Sequence, residues 1–491
     1  MILKQESQYY LLTIHVMKKQ NNITPRNHSI TMEKPQTTSN NNAHILAIPF
    51  PLQGHINPML QFCNRLSSKG VRVTFVTTVS VSKTLQTKPG EYRNVETVPD
   101  STAVEAEGLD VYEIYIRNFR AAISSGLPDI IDKYRDSGFP VNAIVYDSVI
   151  PWVLDVAHEK GVKGAVLLTQ SCTVFAVFHH VHEGNLVISP DGGSGDVSLP
   201  GMPVMGVRDL PSLAYDKDSY PTLARLVVEQ FSTFGKADWR LFNTFDKLEN
   251  EILKWMATIY PIHTIGPTVP SMYADKRVQG NYDYGLSLFK PKTESWSEWI
   301  DKKEAQSIIY VSFGSLADLS ETQMEEIARG LILTKCSFIW VVRETEQHKL
   351  PQDIISSPEL SENCLIVNWC SQLEILSHPS VGCFVTHGGW NSTLEALTLG
   401  VPMVVVPQWT DQTTNAKFVR DVWRVGVCCV KNGDGIVSRE QVRDCVNEVM
   451  KGERGIEIRG NVRKWKDLAV EAVSEGGSSD KNIGEIVMGL V

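Results

Sequence analysis

The segment from Trp369 to Gln412 reads WCSQLEILSHPSVGCFVTHGGWNSTLEALTLGVPMVVVPQWTDQ, and it decides the fold. Two apolar runs in it, Val381–Thr386 and Val401–Pro407, predict buried strands. Between them, Gly388 and Gly389 favour a turn, since glycine tolerates backbone angles that other residues avoid, and leucines at helical spacing follow. The pattern indicates a strand–helix–strand unit of the kind that builds a doubly wound parallel sheet.

The start of the predicted helix is suited to an anion. Asn391 and Ser392 are residue types that commonly cap a helix N-terminus, and Gly400 is expected to end the helix. A helix start exposes unpaired N–H groups and a partial positive charge, so it attracts phosphate, and His387 can add a hydrogen bond. Ser392 and Glu395 also spell S-x-x-E, a capping box that needs no ligand, and both interpretations stay open for that pair.

Other side chains of the segment match the remaining parts of a nucleotide sugar. Trp369 offers a face on which a base could stack, and Gln372 can match an amide-like base edge. Glu395 could accept hydrogen bonds from ribose hydroxyls, and Asp411 with Gln412 forms a carboxylate–amide pair suited to sugar hydroxyls. Each of these residues alone would more often be an ordinary core or loop residue. Their order in one segment favours a ligand site.

From its opening Trp to its closing Gln, with HGGWNSTLE inside, the segment resembles the signature box of plant UDP-sugar-dependent glycosyltransferases. The resemblance implies that Trp369 stacks on uracil, that Gln372 touches the nucleoside and that Glu395 holds the ribose. It implies that Asp411 and Gln412 hold the sugar, and a closing Gln is usual in members that use UDP-glucose. The most similar subgroup contains steviol, steroid and salicylate glucosyltransferases. The implied fold is α/β of the GT-B type, with two facing Rossmann-like doubly wound domains.

The same resemblance places the diphosphate. It implies that His387, Asn391 and Ser392 bind the diphosphate and that Trp390 lines the sugar–phosphate pocket. An earlier apolar strand ends in a glycine–serine turn, and the resemblance puts Ser315 of that turn near the diphosphate.

The N-terminal half predicts a second sheet of the same kind. His44–Phe50 and Val71–Thr78 are predicted strands, and a helix between them is expected to begin with Asn57 as N-cap and Pro58 as first helical residue. His55 comes shortly after the first strand. Ligands of such sheets collect at the carboxyl ends of the strands, so His55 is a candidate site residue.

A carboxylate is predicted at the same edge of that sheet. Asp147 follows the predicted strand Ala143–Tyr146, so its side chain and His55 could meet in one crevice. Such a pair makes a general base, because the carboxylate fixes the tautomer and stabilises the imidazolium. Alone, we would interpret His55 as a loop histidine and Asp147 as a helix N-cap. The resemblance, through GHINP and VYDS, implies that both are catalytic.

The domain organisation follows from these patterns and from the resemblance. At 491 residues the chain predicts two domains of roughly 200 residues each. The stretch from Ile265 to Gly285 is rich in Gly, Pro and charge, which is typical of a linker. We expect a disordered extension over 1–42, an acceptor-binding domain over 43–262, a linker over 263–290, a UDP-sugar-binding domain over 291–474, and a helix over 475–491 that returns to the first domain.

Composition excludes several classes of protein. An apolar content of 42% with 21% charged residues describes a soluble globular chain, and a net charge of −9 without a basic stripe argues against nucleic acid. No apolar run reaches the roughly 18 residues of a membrane span. The 9 scattered cysteines lack C-x-x-C spacing and indicate a reducing compartment, so a cytoplasmic location is expected. The protein is expected to be a monomer.

Neither a cofactor nor a metal ion is expected. His179, His180 and His182 lack the spacing and the fourth ligand of a zinc site. Asp216 and Asp218 form a D-x-D, which holds a divalent metal in other glycosyltransferases, but no apolar strand precedes them, and a loop is the better interpretation.

The sequence therefore predicts a UDP-glucose-dependent glucosyltransferase with a UDP-sugar donor and a lipophilic small-molecule acceptor. Glucose would move with inversion onto a hydroxyl or carboxylate of a terpenoid, steroid or phenolic. The alternatives are a transferase that forms glucose esters on a small carboxylic acid, and a non-catalytic nucleotide-sugar-binding protein. A glycoside hydrolase is disfavoured, because it needs two carboxylates that flank the bond and the sequence offers one candidate, Asp411.

Overall fold

The computed structural model describes residues 43–87, 94–101, 111–188, 195–287, 296–355 and 362–490. Two parallel sheets organise these residues, and each is covered on both faces. The predicted fold class, α/β with two Rossmann-like doubly wound domains, is confirmed. The expected disordered extension over 1–42 lies outside the described residues.

The strands are, in chain order, β1 (His44–Ile48), β2 (Arg72–Thr78), β3 (Gln86–Thr87), β4 (Asn94–Val98), β5 (Ala143–Asp147), β6 (Lys163–Leu168), β7 (Asp196–Val197), β8 (Met205–Gly206), β9 (Trp239–Phe242), β10 (His263–Thr264), β11 (Leu286–Ser287), β12 (Ile308–Ser312), β13 (Ser337–Val341), β14 (Cys364–Val367), β15 (Val381–Thr386), β16 (Met403–Val405) and β17 (Gly426–Cys428).

The α-helices are, in chain order, α1 (Gln53–Ser68), α2 (Val79–Thr84), α3 (Val111–Asp136), α4 (Val153–Glu159), α5 (Cys172–His182), α6 (Pro221–Glu229), α7 (Phe231–Phe234), α8 (Asn250–Met256), α9 (Trp296–Asp301), α10 (Glu321–Leu333), α11 (Gln352–Ile355), α12 (Gln372–Ser377), α13 (Trp390–Leu399), α14 (Gln412–Lys417), α15 (Arg439–Met450), α16 (Glu453–Val473) and α17 (Ser478–Gly489).

The first sheet has the strand order β10-β9-β6-β5-β1-β2-β4 and the second has the order β14-β13-β12-β15-β16-β17. All neighbouring strands within each sheet are parallel. The first sheet reaches past the predicted domain boundary at residue 262, because its last strand is β10.

Apolar runs form the central strands because these strands are buried on both faces. All residues of β1, β5, β12 and β15 are buried. Leu46 and Ile48 of β1 pack on one side of the first sheet, whereas Ile45 and Ala47 pack on the other. The strand predicted at Val381–Thr386 is confirmed, while the next strand is shorter than predicted.

Two predicted helix starts are wrong, and both helices begin earlier. The helix predicted to follow an Asn57 cap begins at Gln53 after Leu52, so Pro58 lies inside it and His55 lies in its first turn. The helix predicted to be capped at Asn391 or Ser392 begins at Trp390 after Gly389. In each case the first helical turn begins directly after the short loop that follows the strand. The helix end at Gly400 is confirmed, with a φ of 75°.

The linker and the C-terminal helix connect the two domains. In the linker, Leu286 of β11 pairs with Thr87 of β3, which belongs to the first domain. The C-terminal helix α17 packs on the first sheet, where Ile483 and Ile486 join the buried cluster of β1. Asn482 of α17 also donates to the carbonyl of Thr264 at 2.9 Å.

Candidate active site

A histidine–aspartate pair lies at the carboxyl edge of the first sheet. Nδ1 of His55, in the first turn of α1, lies 2.7 Å from Oδ2 of Asp147, the last residue of β5. Asp147 is fully buried, and its Oδ1 accepts from the backbone N–H of Val149 at 3.1 Å. With Nδ1 donating to the carboxylate, Nε2 of His55 keeps its lone pair and is able to accept a proton.

Groups around the imidazole control its charge. The Thr169 hydroxyl, just after β6, lies 3.2 Å from Nδ1 of His55. Burial disfavours the charged imidazole, but the carboxylates of Asp147 and Asp411 outweigh burial and raise the pKa of His55 above its ordinary value. Asp411 belongs to the second domain, so the pair faces that domain across a cleft.

The N-terminus of α13 lies on the opposite side of this cleft. Its N-cap Gly389 makes no side-chain capping bond, so the first turn, Trp390 to Ser392, depends on other partners for its N–H groups. Burial raises the pKa of the nearby Asp411 carboxyl, and the backbone N–H of Trp390 opposes this rise. These N–H groups carry the partial positive charge that the sequence predicts for a diphosphate.

A hydrogen bond joins the two facing helix starts. Nδ2 of Asn391 donates to the carbonyl oxygen of Gly54 at 2.7 Å. That carbonyl would normally receive the N–H of residue 58, but Pro58 has none. Asn391 therefore supplies a donor that α1 lacks, one residue away from His55.

His387 is held beside two glycines. An added Cβ at Gly314 or Gly389 would come within 2.8 Å or 2.5 Å of the imidazole ring, so only glycine leaves room for it. Burial lowers the pKa of His387 to about 4, which keeps the ring neutral near neutral pH. A neutral imidazole can donate one N–H to an oxygen of an anion.

Ser315 follows Gly314, the glycine that packs against this imidazole, in the turn after β12. The turn needs a left-handed residue, which is Gly314 with a φ of 73°. The guanidinium of Arg343 donates to the carbonyls of Ser315 and Ala317, and these contacts fix the turn from outside.

Gln372, Ser392 and Glu395 form one network. The Gln372 amide donates to Ser392 Oγ at 3.0 Å and to Glu395 Oε2 at 2.5 Å, while its oxygen accepts from the Tyr310 hydroxyl at 3.2 Å. Since Gly389 is the N-cap, the capping-box alternative for Ser392 and Glu395 is wrong. Glu395 is 5% exposed, and burial raises the pKa of its carboxyl against the hydrogen bonds from Tyr284 and Gln372.

Asp411 and Gln412 lie at the end of the cleft that the two domains share. The Asp411 carboxylate accepts from the Thr410 hydroxyl at 2.8 Å and from the Asn415 amide at 2.7 Å. The Gln412 oxygen accepts from the backbone N–H of Gln408 at 2.8 Å, so its Nε2 is the group with capacity for a sugar hydroxyl.

The two tryptophans differ in position. Trp369 is half-buried after β14, so part of its ring faces solvent. The Trp390 indole is 3% exposed, belongs to the core and donates to the Asn243 carbonyl at 2.7 Å. Its side chain therefore differs from the expected pocket-lining position, because the helix begins at Trp390 and the indole points into the domain interface.

Sequence reasoning missed three contributors to the site. They are the Gly54 carbonyl, the Arg343 guanidinium and the Tyr284 hydroxyl, which donates to Glu395 Oε1 at 2.6 Å from the linker. Pro58, four residues after Gly54, was a readable signal for the first. The other two depend on tertiary contacts.

Across the described ranges, no group of three or more His, Cys, Asp or Glu side chains is arranged to hold a metal ion. His179 and His180 lie in an aromatic cluster instead, and the His180 ring stacks on Trp255 with ring centroids 4.7 Å apart. Among the same residues, no helix combines the length and the apolar character needed to cross a membrane.

Comparisons with known proteins show which proteins this chain resembles. The family model described as UDP-glucoronosyl and UDP-glucosyl transferase matches residues 276–460, and the model of the glycosyltransferase N-terminal domain matches residues 41–98. The chain is 48% identical to UDP-glycosyltransferase 74E2 of Arabidopsis thaliana over 91% of this chain and 98% of that protein. It is 48% identical to Mogroside I-E synthase of Siraitia grosvenorii over 93% of this chain and 99% of that protein.

Solved structures show the same architecture. Os79 from O. sativa in complex with UDP superimposes with a TM-score of 0.84 at 35% identity, covering 91% of this chain and 100% of that chain. Os79 in complex with U2F and trichothecene superimposes with a TM-score of 0.80 at 34% identity over the same shares.

Proposed function

The chain belongs to the UDP-glucoronosyl and UDP-glucosyl transferase family and is a UDP-glycosyltransferase of the plant type; from this premise we propose that it moves glucose from UDP-glucose, with inversion, onto a hydroxyl of a lipophilic small molecule. The observation that carries the proposal is the pairing of His55 with Asp147 opposite the N-terminus of α13. Asn391 spans the cleft to Gly54, so the base and the anion site lie close together.

His55 is the proposed general base. Its Nε2 takes the proton of the acceptor hydroxyl as the acceptor oxygen attacks the anomeric carbon. Asp147 stabilises the imidazolium that results, and the raised pKa of His55 reflects this. Attack opposite the leaving UDP converts an α-linked donor into a β-glycoside.

The second domain is the proposed donor side. Trp369 stacks on uracil, Gln372 contacts the nucleoside, Glu395 holds the ribose, and Asp411 with Gln412 holds the sugar. The diphosphate lies at the start of α13 with His387, Asn391, Ser392 and Ser315. Neutral hydrogen-bond donors and the helix N-terminus, in place of a metal ion, stabilise the charge of departing UDP.

An aromatic wall beside the dyad supports a lipophilic acceptor. The Phe50 ring meets the His55 ring edge-on with centroids 5.6 Å apart, and Phe119 and Trp152 continue the wall. These rings are buried, and such apolar surroundings beside the base favour a terpenoid, steroid or phenolic over a strongly polar acceptor. A carboxylic acid acceptor is already ionised and would need His55 less, so it would give a glucose ester. The free thiols, Cys63 among them, support a cytoplasmic location.

His55→Ala tests the assignment. We expect transfer to hydroxyl acceptors to fall by about 10²–10⁴-fold while UDP affinity stays unchanged, because the base is lost and the donor site is intact. Product mass across a panel of UDP-sugars and acceptors identifies the reaction, and UDP titration calorimetry checks the donor site. Unchanged turnover on an alcohol would refute the role of His55, and glucose esters that survive the substitution would favour a carboxylate acceptor.

A further inference from the structure

A linker tyrosine contacts the buried carboxylate of the donor side. The Tyr284 hydroxyl donates to Glu395 Oε1 at 2.6 Å, while Gln372 donates to Oε2 at 2.5 Å. Burial and the neighbouring carboxylate raise the pKa of the Tyr284 phenol well above its ordinary value, so it stays protonated and able to donate.

We propose that Tyr284 occupies the ribose position of the donor site in the nucleotide-free protein, and that UDP-sugar binding displaces its hydroxyl from Glu395. The inference rests on the proposed role of Glu395 as the ribose partner. A phenolic hydroxyl and a ribose hydroxyl offer the same group, an O–H donor, to the same oxygen. The tyrosine is therefore a competitor that sets donor affinity.

The size of the surrounding space supports displacement. The crevice lined by Tyr284, Asn391, Leu394, Pro58 and neighbouring residues has a cavity volume of about 0 Å³, so not even a water molecule fits in it. Ligand pockets usually measure roughly 300–1,000 Å³, so a nucleotide needs more room at this place. Removal of the phenol from the crevice enlarges it on the side where Asn391 and Leu394 lie.

The backbone beside Tyr284 is attached to the first domain. The Gln61 amide on α1 donates to the carbonyl of Asp283 at 3.0 Å, and β11 pairs with β3 two residues after the tyrosine. Further back, Arg65 of α1 holds Asp275 of the linker by two hydrogen bonds, of 2.6 and 2.9 Å. Because the linker backbone is held in place, release of the hydroxyl requires rotation of the Tyr284 side chain.

Competition between Tyr284 and the ribose for Glu395 predicts the direction in which UDP affinity changes when the tyrosine hydroxyl is removed. In Tyr284→Phe, Glu395 loses a donor in the free protein and regains one when the ribose binds. A buried carboxylate that lacks a donor is costly, so UDP is expected to bind about tenfold more tightly. If Tyr284 instead holds Glu395 in place for the ribose, the same substitution weakens UDP binding.

UDP titration calorimetry of the full chain decides between these outcomes. Tyr282→Phe is the matched control, because Tyr282 lies in the same linker and is 59% exposed. Tighter binding by Tyr284→Phe with an unchanged control supports the inference, and an unchanged or weaker affinity overturns it.

A crystal structure of the wild-type protein with UDP tests the same point without a substitution. We expect the Tyr284 hydroxyl beyond hydrogen-bond distance of Glu395, and an intact contact overturns the inference even if the variant fails to fold. If the wild-type protein binds no UDP, the proposed donor site itself fails, and the inference fails with it. If UDP binds and Tyr284 stays in place, only the inference fails.

Discussion

Helices α1 and α13 each follow a central strand of a parallel sheet, β1 and β15, and neither has a side-chain cap at its start. Their first turns nevertheless differ in chemistry. The first turn of α1 presents the His55 imidazole and the Gly54 carbonyl, which receives no intrahelical hydrogen bond because Pro58 has no N–H. The first turn of α13 presents backbone N–H groups and the Asn391 amide. The first is a base, the second an anion site, and the Asn391–Gly54 bond joins them.

The comparison shows that neighbouring groups decide the charge of a histidine at a helix start that follows a central strand. Beside α1, the buried carboxylate of Asp147 favours a cationic imidazole. At the start of α13, burial lowers the pKa of His387 and keeps its ring neutral, so it adds to the N–H groups without a fixed charge.

The largest expected effect is the loss of activity on substitution of Asp147, the carboxylate that pairs with His55 of α1. In Asp147→Asn the amide donates toward Nδ1 of His55 and favours the wrong tautomer, so kcat is expected to fall by about 10⁴-fold. UDP affinity is expected to stay the same. Steady-state kinetics and calorimetry check both, with Asp155→Asn on the exposed face of α4 as the control. A parallel loss of UDP affinity would show that the two helix starts are not separate in function.

The next effect comes from the α13 side at Gly314. In Gly314→Ala the new Cβ would lie 2.8 Å from the His387 ring at a φ of 73°, so the imidazole must move. UDP affinity is expected to fall about tenfold, through the loss of one good hydrogen bond to an anion. Gly280→Ala is the matched control, because Gly280 has a φ of 75° and nothing within 4 Å. Equal losses in both variants would assign the effect to backbone strain.

A pH profile sharpens the comparison across the cleft. His55 must be neutral to accept a proton, and its pKa in the free protein lies above the ordinary 6.5, so kcat/KM is expected to rise with pH through that raised value. Asp411→Asn removes one of the carboxylates that raise the pKa, so the acid limb of the profile is expected to move to lower pH. Asp434→Asn, in an exposed loop, is expected to leave the limb unchanged. A limb that stays in place in Asp411→Asn would place Asp411 too far from the base to affect it.

The smallest expected effect tests the bond between the two helix starts. Pro58→Ala gives the Gly54 carbonyl an intrahelical N–H partner, which competes with Asn391. A carbonyl can accept two hydrogen bonds, so kcat/KM is expected to fall only about threefold, while thermal stability does not fall. An activity equal to wild type would show that the Asn391–Gly54 contact does not position the base.

Much of the fold could be predicted from the sequence because buried parallel strands consist of continuous runs of apolar residues. The strand Val381–Thr386 is an example. The end of the following helix, α13, could also be predicted, because Gly400 occupies a position that needs a left-handed backbone conformation. Helix starts were less readable. The starts at Gln53 and Trp390 follow from the geometry of the strand loops, whereas Asn57 and Asn391 have a capping propensity that these helices do not use.

The sequence by itself determined the fold class and the family and supplied candidate residues for the cleft, because these depend on local pattern and on side-chain chemistry in a recognisable order. Only the tertiary structure decided which of those residues meet. The 2.7 Å contacts of His55 with Asp147 and of Asn391 with Gly54 join positions 92 and 337 residues apart. The place of Tyr284 on Glu395 depends on the same kind of long-range contact, across 111 residues. Partners so distant in the chain leave no periodic signal, since their approach is set by how the two sheets and the linker pack together.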